Sequence, residues 1–533
     1  MRAASRRTHA ERLESMSQSI DHIVVLGGGT AGWLTASILA AEFDTQAGIK
    51  VTLVESPSTP TIGVGEGTWP SMRSTLLKIG IPEKDFISTC SATMKQGTLF
   101  TGWLRGGEET YYHPFTLPHG FTELNLAEHW SSGAFGQLPF ASAVTPQFAV
   151  CEAGLAPKQL QVPDYAFTLN YGYHLDAAKF AELLRNHAVN RLGVHHVLTD
   201  VTGINAGAQG AIQSLTTTSG PVAGDFFVDC SGFRSLLIGE HYQVPLRSQR
   251  DVLFNDSALA VQVPYDEAQS SIATTTRATA HQAGWFWDIG LQHRRGVGAV
   301  FSSAHGERGS VERALDAYLR RTGYAGGLDE ASPRLIEFSP GYRESFWQQN
   351  CVAIGLSAGF IEPLEASALV LVELSARRLA EQLPRHQAQL GHIAERFNAE
   401  FTGRWAQIIE FLKLHYVLSQ RDDCDYWKQH RDRSSIPEGL LSKLEEWQYR
   451  CPWHQDEHRV DEMFPAASYQ YVLYGMGFRT EVDLSVRRNA AAEHQKAISL
   501  SHEVQQQAQK LAAHLPAHRQ LLEEASVRGF AAR

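Results

Sequence analysis

The sequence predicts a mixed α/β (α+β) fold. We expect a Rossmann-like core near the N-terminus, a β-sheet region after it and a mainly helical C-terminal part. Three observations predict this arrangement. A strand, a glycine-rich turn, a helix and a second strand follow one another near the N-terminus. Two apolar strands return much later in the chain, and an apolar period typical of helices dominates its end.

The first unit has the spacing of a dinucleotide-binding βαβ motif. Its predicted segments are strand 22–26, turn 27–32, helix 33–43 and strand 51–54. The turn reads Gly-x-Gly-x-x-Gly, and an acidic residue stands 23 positions after the last of these glycines. Such glycines let the backbone approach a pyrophosphate at the helix N-terminus, while the acid bonds the ribose hydroxyls. The residues predicted to contact the dinucleotide are Gly27, Gly29, Thr30, Ala31, Gly32 and Glu55.

Two late strands indicate which dinucleotide to expect. Residues 225–229 and 351–355 have the composition of buried strands, and a tightly held FAD usually needs a late strand that returns to it. Asp229 and Ile354 belong to these segments and are predicted to contact the cofactor. No second Gly-x-Gly-x-x-Gly follows that could hold NAD(P)H. The chain is therefore predicted to be a flavoprotein that receives its electrons from a separate NAD(P)H-dependent flavin reductase.

Composition and charge exclude several classes of protein. Hydrophobic residues make up 43% and charged residues 20%, which is ordinary for a soluble protein, and a net charge of −10 argues against nucleic-acid binding. The sequence shows neither a membrane-spanning apolar run nor the apolar core of a secretory signal, so we expect a cytoplasmic protein. Six scattered cysteines and 23 histidines without a ligand motif predict no metal site and no disulfide framework. Nothing in the sequence excludes a homodimer.

Seven separate motifs carry a resemblance to a known family. They are GGGTAGW at 27–33, PTIGVGEGTWPS at 60–71, SATMK at 91–95, YYHPF at 111–115, DCSGFRSLL at 229–237, WFWDIG at 285–290 and FIEPLEAS at 360–367. Together and in this order they resemble the flavin-dependent halogenases, a tryptophan-halogenase-like family, from about residue 20 to the C-terminus. The resemblance implies an FAD-binding core of the aromatic-hydroxylase or glutathione-reductase type.

The resemblance also implies a chemistry that takes place in two locations. Reduced FAD, O2 and chloride or bromide give hypohalous acid, which crosses the protein and halogenates an electron-rich aromatic ring by electrophilic substitution. Lys95 matches the family's catalytic lysine, which either hydrogen-bonds the hypohalous acid or carries the halogen as an N-haloamine. Glu365 matches the catalytic glutamate, which stabilises or deprotonates the cationic ring. Halide is expected at the backbone N–H groups of Ser367 and Ala368, where the family reads Ser-Thr-Gly and this chain Ala-Ser-Ala.

Two further matches concern the flavin. Trp285 and Trp287 correspond to the family's Trp-x-Trp-x-Ile-Pro motif, whose indoles wall the flavin off from the organic substrate. Gly290 replaces the proline of that motif, so one backbone position is less restricted here than in the family. Gly65, which lies in the motif at 60–71, is expected to contact the cofactor.

The substrate contacts differ from those of tryptophan halogenases. His113 and Phe115 match the pair that stacks on indole, and Phe464 matches part of the ring clamp, so a flat aromatic substrate is expected. The Tyr-Tyr pair that grips an amino acid is missing, and a proline stands where the family has tryptophan. Glu457 and Glu462 are candidate replacements for the clamp's acid, but neither has the family's neighbours. We therefore expect an indole-type or phenolic substrate, or an aromatic ring within a larger molecule, rather than free tryptophan.

The chain divides into three predicted parts. These are a disordered N-terminal extension at 1–19, an FAD-binding and halide/β-sheet module at 20–380, and a mainly helical, substrate-covering region at 381–533. In the last part, apolar residues recur every four positions and predict one helix stripe through Ile393, Phe397, Phe401, Trp405 and Ile409. Pro363 followed by the apolar run 364–383 predicts another helix, with Glu365 in its first turn.

Two alternatives share part of this pattern. An FAD-dependent aromatic monooxygenase has the same nucleotide fingerprint and would give a hydroxylated product, but it has no use for Lys95 or the two tryptophans. A flavin-binding or electron-transfer protein with a decayed site is the second alternative, and the intact Lys95 and Glu365 argue against it.

Overall fold

The computed structural model describes residues 19–44, 48–59, 65–267, 269–456 and 462–531. The predicted N-terminal extension lies outside the described residues except for Ser19, which forms a β-bridge with His386. Glu457 and the first five residues of the 60–71 motif also lie outside them, whereas Gly65 is described.

A six-stranded sheet forms the Rossmann-like core. Its strands, in spatial order, are Trp347–Gln348, Cys351–Ala353, Phe226–Asp229, His22–Leu26, Lys50–Glu55 and His195–Leu198. Neighbouring strands pair in parallel, except that the edge strand Trp347–Gln348 is antiparallel to its neighbour. The late strands therefore return to the first strand, with Leu26 opposite Asp229 and Asp229 opposite Ala353. This arrangement confirms the predicted fold class.

A seven-stranded and largely antiparallel sheet forms the β region. Its strands, in spatial order, are Arg334–Glu337, Ser257–Pro264, Arg294–Phe301, Gly284–Gly290, Thr276–His281, Gly97–Thr101 and Thr110–Pro114. Three small sheets accompany it, with strands Val201–Ala206, Ile212–Thr217 and Gly220–Ala223; Leu246–Ser248, Gly341–Arg343 and Gly359–Phe360; and Glu66–Gly67, Thr93–Lys95 and Gly172–Leu175. Strand Thr93–Lys95 ends two residues before Gly97–Thr101 begins, so Lys95 lies where two sheets meet.

Helices cover the core sheet and make up the C-terminal part. The α-helices are Thr30–Glu42, Ser71–Ile79, Glu83–Thr89, Leu126–Ser131, Phe140–Val144, Gln147–Glu152, Ala177–Asn190, Arg308–Arg321, Leu328–Ala331, Ser367–Gln382, Leu390–Val417, Asp425–Gln429, Glu438–Trp447, Ala466–Gly475, Ala490–His514 and His518–Arg528. Short 3₁₀ turns lie at Gly232–Arg234, Gly355–Ser357, Leu364–Ala366, Gln387–Gln389, Arg433–Ser435, His454–Asp456 and Leu484–Val486, and a π-helical turn lies at Leu236–His241. The predicted apolar stripe lies within helix Leu390–Val417, which buries Phe397, Phe401, Trp405 and Ile409.

One hydrophobic cluster includes apolar residues of both the sheets and the C-terminal helices. Helix Thr30–Glu42 is buried on nearly every side because it packs between helices Ala177–Asn190 and Ser367–Gln382. The predicted boundary at 380 falls two residues before the end of the latter helix. In the described part of the chain, no helix combines the length and the apolar character needed to cross a membrane.

Two glycines predict opposite effects of an added methyl group. Gly403 lies inside helix Leu390–Val417 with nothing within 4 Å of an added Cβ, so Gly403→Ala should raise the free energy of unfolding by about 0.5–1 kcal/mol. At Gly298 the Cβ would lie 2.0 Å from the Trp287 ring, so Gly298→Ala should lower it by about 1–3 kcal/mol. Equilibrium chemical unfolding measures both; equal effects of the two changes would contradict this packing.

Candidate active site

The glycine-rich turn leaves open space at the N-terminus of helix Thr30–Glu42. A Cβ added at Gly29 would meet nothing within 4 Å, and no side chain caps this helix end. The neighbouring glycines are packed tightly: Gly27 has φ +123°, and a Cβ at Gly32 would lie 1.8 Å from the Gly27 carbonyl oxygen. Thr30 and Ala31 begin the helix, so their N–H groups lack intrahelical acceptors. The turn thus has the geometry that a pyrophosphate needs.

Glu55 ends its strand beside this turn, as the dinucleotide prediction requires. A Cβ added at Gly28 would lie 2.2 Å from Glu55 Cδ, so the carboxylate rests against the turn. His196 Nε2 lies 2.9 Å from Glu55 Oε2 on the other side. An acid that reaches the glycine turn is positioned to bond a ribose, and together with the open turn it fits FAD.

The two late strands approach the same helix end in different ways. Ile354 is buried, and a Cβ at the following Gly355 would lie 2.7 Å from Ala31 Cβ. The Asp229 carboxylate is also buried, but it accepts hydrogen bonds from the backbone N–H groups of Ser231, Leu237 and Ile238. Asp229 therefore holds its own turn in place.

Lys95 is buried, with 1% of its surface exposed. Its Nζ lies 5.3 Å from the centroid of the Phe115 ring, and within the described ranges no group accepts a hydrogen bond from it. A Cβ added at Gly67 would lie 3.4 Å from this Nζ and 3.3 Å from Ala366 Cβ. Lys95 therefore reaches the segment that carries Glu365. Burial lowers the pKa of Lys95 to about 8, although the charge of Glu365 opposes the change.

The backbone at Glu365 corrects one prediction from the sequence. Glu365 does not have the helical backbone expected in the first turn of a helix: it lies in the short turn Leu364–Ala366, and helix Ser367–Gln382 begins two residues later. Glu365 and Ala366 both adopt left-handed conformations, with φ of +63° and +55°. Two such residues that are not glycine store strain, and contacts elsewhere must hold them. One such contact is the Trp69 indole N–H, which donates to the Glu365 carbonyl oxygen at 2.7 Å.

The Glu365 carboxylate is buried and surrounded by hydrogen-bond donors. Its Oε1 lies 2.8 Å from His113 Nδ1 and 3.3 Å from His415 Nε2, and its Oε2 lies 3.4 Å from Thr98 Oγ1. Burial by itself would raise the pKa of Glu365, but its electrostatic interactions and hydrogen bonds with His113 and His415 hold it below the ordinary value. The other ring nitrogen of His113 lies 2.9 Å from Ser468 Oγ.

Aromatic rings form a wall beside Glu365. Phe464 stacks on Phe411 with ring centroids 3.8 Å apart, and its ring meets Trp69 edge-on at 4.8 Å. His113 is tilted against Phe411 at 5.7 Å. The predicted substrate residues His113, Phe115 and Phe464 thus lie near Lys95 and Glu365.

Trp285 and Trp287 lie on one face of strand Gly284–Gly290, and both are buried. The Trp285 indole N–H donates to Glu362 Oε2 at 2.7 Å, and Glu362 also accepts from Tyr416 and Asn255. The same strand contacts the 60–71 motif, because a Cβ added at Gly65 would lie 2.7 Å from Ile289 Cδ1. Burial raises the pKa of Glu362.

The predicted halide site lies at the start of helix Ser367–Gln382. The N–H groups of Ser367 and Ala368 lie in the first turn and lack intrahelical acceptors, and no side chain caps this helix end. Ser367 is buried and Ala368 is exposed. This helix end directly follows Glu365.

Three residues of the stretch that corresponds to the family's amino-acid clamp are exposed or hydrogen-bonded elsewhere. Tyr449 is 68% exposed, and Trp453 donates its indole N–H to the Phe121 carbonyl oxygen. Glu462 accepts a hydrogen bond from Gln407. None of these contacts joins the residues around Lys95 and Glu365.

Comparison with known proteins identifies the family. The sequence profile described as tryptophan halogenase matches residues 22–491. The chain belongs to the tryptophan halogenase family. This confirms the fold, the flavin dependence and the halogenase activity predicted from the motifs. It favours the halogenase over the alternative of an FAD-dependent aromatic monooxygenase.

Individual relatives agree with this assignment. The structure of a tryptophan halogenase from Shewanella frigidimarina NCIMB 400 is 47% identical, with a TM-score of 0.93, and the match covers 97% of this chain and 99% of that one. BrvH, a flavin-dependent halogenase from Brevundimonas sp. BAL3, is 33% identical with a TM-score of 0.83, covering 95% and 99%. The tryptophan 6-halogenase SttH from Streptomyces toxytricini is 33% identical over 89% of this chain and 93% of its own length.

Sequence reasoning missed several residues around the site of this halogenase. His415 follows Phe411 by four positions and so shares its helix face, a spacing that could have drawn attention to it. Trp69 and Glu362 lie inside motifs that were recognised, yet their contacts depend on tertiary structure. Ser468 carries no sequence signal.

The glycine turn of this halogenase allows folding and flavin binding to be separated. Gly29→Ala has room for its methyl group in the folded protein, so thermal stability without flavin should stay unchanged. The methyl group would occupy the space of a pyrophosphate, and FAD binding should weaken by about tenfold or more. Gly32→Ala is the matched control, because its clash with Gly27 should lower stability itself. Fluorescence titration with FAD that shows unchanged affinity in Gly29→Ala would contradict the predicted cofactor position.

The buried charge of Lys95 should reduce the stability of this halogenase below pH 8. The folded protein holds this proton less tightly than the unfolded chain, because burial lowers the pKa from 10.5 to about 8. The cost is complete below pH 8 and disappears as the pH rises toward 10.5. Lys95→Met should therefore raise the free energy of unfolding by roughly 3 kcal/mol at pH 7 and by progressively less toward pH 10.5. Denaturant unfolding at several pH values measures this; a gain that does not vary with pH would refute the cause given.

Proposed function

We propose that this halogenase uses reduced FAD, O2 and chloride or bromide to halogenate a neutral, electron-rich arene of the indole or phenol type. The observation that carries the proposal is the meeting of Lys95 and the Glu365 segment at Gly67, beside a wall of aromatic rings. A buried cation and a buried carboxylate in one apolar space suit an electrophilic substitution, which needs an activated halogen and a base.

The roles follow from the contacts. The bound flavin would supply the oxidation of halide to hypohalous acid. Lys95 would hold that acid through its Nζ or carry the halogen on nitrogen. Glu365, which stays ionised because His113 and His415 hold its pKa low, would take the proton that the ring loses. Ser367 and Ala368 would offer backbone N–H groups to the halide.

Residues on the flavin side would keep the two chemistries apart. Gly27, Gly29, Thr30, Ala31, Gly32, Glu55, Asp229 and Ile354 would hold the dinucleotide, with Gly65 beside its ring. Trp285 and Trp287 would separate the flavin from the arene, with the indole of Trp285 held in place by its hydrogen bond to Glu362. A separate flavin reductase would supply the reduced flavin.

The substrate is proposed to carry no amino-acid group. Besides Lys95, Glu365 and the two histidines that contact Glu365, the region beside the aromatic rings offers aromatic and hydroxyl side chains, and Glu462 accepts a hydrogen bond from Gln407. Burying an ammonium or a carboxylate without a partner costs several kcal/mol, so a zwitterion would be disfavoured. His113, Phe115 and Phe464 would instead contact the ring faces.

Incubation of indole or phenol with the enzyme, FAD, a flavin reductase, NADH, O2 and bromide or chloride should yield a halogenated product by mass spectrometry. Lys95→Ala should still bind FAD and consume reduced flavin, yet give no halogenated product. Glu365→Gln should slow halogenation by roughly 10²–10⁴-fold. Lys78→Ala, at a half-exposed lysine, is the matched control and should behave like the unaltered enzyme.

Three results would contradict the proposal. A hydroxylated ring without halogen would favour monooxygenase chemistry. Product formation that survives Lys95→Ala would remove the lysine from the reaction. Faster halogenation of free tryptophan than of indole would show that the enzyme accommodates a zwitterion after all.

A further inference from the structure

His415 lies against Glu365 with both of its ring nitrogens facing acceptors. The residue is fully buried in helix Leu390–Val417. Its Nδ1 lies 2.9 Å from the Phe411 backbone oxygen, one helical turn earlier. Its Nε2 lies 3.3 Å from Glu365 Oε1.

These two contacts fix where the protons must be. A backbone carbonyl oxygen only accepts hydrogen bonds, so Nδ1 of His415 must carry a hydrogen. A neutral imidazole carries hydrogen on one nitrogen, so Nε2 would then point a lone pair at the Glu365 oxygen. Two lone pairs at that distance repel each other. A proton must therefore lie between His415 Nε2 and Glu365 Oε1.

His113 faces the same carboxylate but does not require an additional proton. Its Nδ1 donates to Glu365 Oε1, while its Nε2 faces Ser468 Oγ, a hydroxyl that can donate. A neutral His113 satisfies both contacts. The proton in excess of two neutral imidazoles therefore belongs to the pair formed by His415 and Glu365.

We propose that His415 is a positioning residue for the halogenation reaction, which holds Glu365 Oε1 through its Nε2–H and leaves Oε2 to take the proton of the halogenated ring. In that step the ring C–H bond breaks, its electron pair restores the aromatic system, and the proton moves to Oε2. Among the described residues, Oε2 has one hydrogen-bond donor, Thr98 Oγ1 at 3.4 Å. This inference rests on the proposed function.

The groups around His415 and Glu365 leave Glu365 as the hydrogen-bonding partner of His415 Nε2. Glu365 is faced by His113 and His415, with Lys95 close enough for its charge to act. His415 is otherwise enclosed by the rings of Phe100, Trp103 and Phe411, with the charge of Glu362 farther away. The Nε2 side of His415 thus has Glu365 as its hydrogen-bonding partner.

An isotope experiment separates this role from a structural one. His415→Phe keeps a ring but removes the donor, whereas His415→Gln can return a neutral N–H near Nε2. The substrate is indole or phenol, whichever gives more product, supplied as a mixture of ordinary and ring-deuterated molecules. With the unaltered enzyme, both forms should be halogenated at almost the same rate. In His415→Phe, turnover should fall on the order of 100-fold and the ordinary ring should be preferred, because proton removal becomes slow. His415→Gln should recover part of the lost turnover and show a weaker preference for the ordinary ring than His415→Phe.

Two controls complete the experiment. His281→Gln alters another buried histidine outside the site and should leave the isotope preference unchanged. Nitrogen NMR of histidine-labelled protein, assigned with His415→Gln, should show hydrogen on both ring nitrogens of His415. In Glu365→Gln the neutral tautomer with hydrogen on Nδ1 should appear, because the amide can donate to Nε2.

The outcomes are distinct. Slower turnover with an unchanged isotope preference, or unchanged turnover, in His415→Phe would overturn the positioning role. A neutral His415 in the unaltered protein would overturn the shared proton. If the unaltered enzyme halogenates neither arene, the proposed function fails, while the NMR result still decides the state of His415.

Discussion

The buried carboxylate of Glu365 is the group on which the site geometry depends. A carboxylate without partners in an apolar interior costs several kcal/mol, so donors must reach it from elsewhere in the fold. His113 comes from an edge strand, Thr98 from the strand beside it, and His415 from the long C-terminal helix. Because these elements are distant in sequence, the β region and the helical region must pack together before the base exists.

The conformation of the Glu365 segment illustrates the same dependence. Left-handed residues other than glycine cost about 1–3 kcal/mol each in such settings, and here two follow one another. The Trp69 indole and the tight approach of Gly67 to Ala366 hold them in place. Tertiary contacts thus hold the segment in a backbone conformation that is unfavourable for its residues, and helix Ser367–Gln382 begins only after it.

The sequence was sufficient for features that rest on local pattern. The βαβ unit was predicted to within three residues at each boundary, because buried strands and glycine turns are encoded by neighbours. The recognised motifs named Lys95 and Glu365, although not their distances. The first-turn prediction for Glu365 was wrong because Pro363 and an apolar run look like a helix start, whereas the observed backbone depends on Trp69. His415 was missed because its partner lies 50 residues away.

The contact between Trp69 and the Glu365 carbonyl has a consequence for changing what the enzyme accepts. Trp69 also packs edge-on against Phe464. The same indole therefore holds both the aromatic ring of Phe464 and the backbone of Glu365. A smaller side chain at Phe464 would admit larger arenes and at the same time free the indole that steadies the base. Scope and rate are therefore coupled, and laboratory evolution toward bulky substrates would have to select compensating changes around Trp69 together with the enlarged pocket.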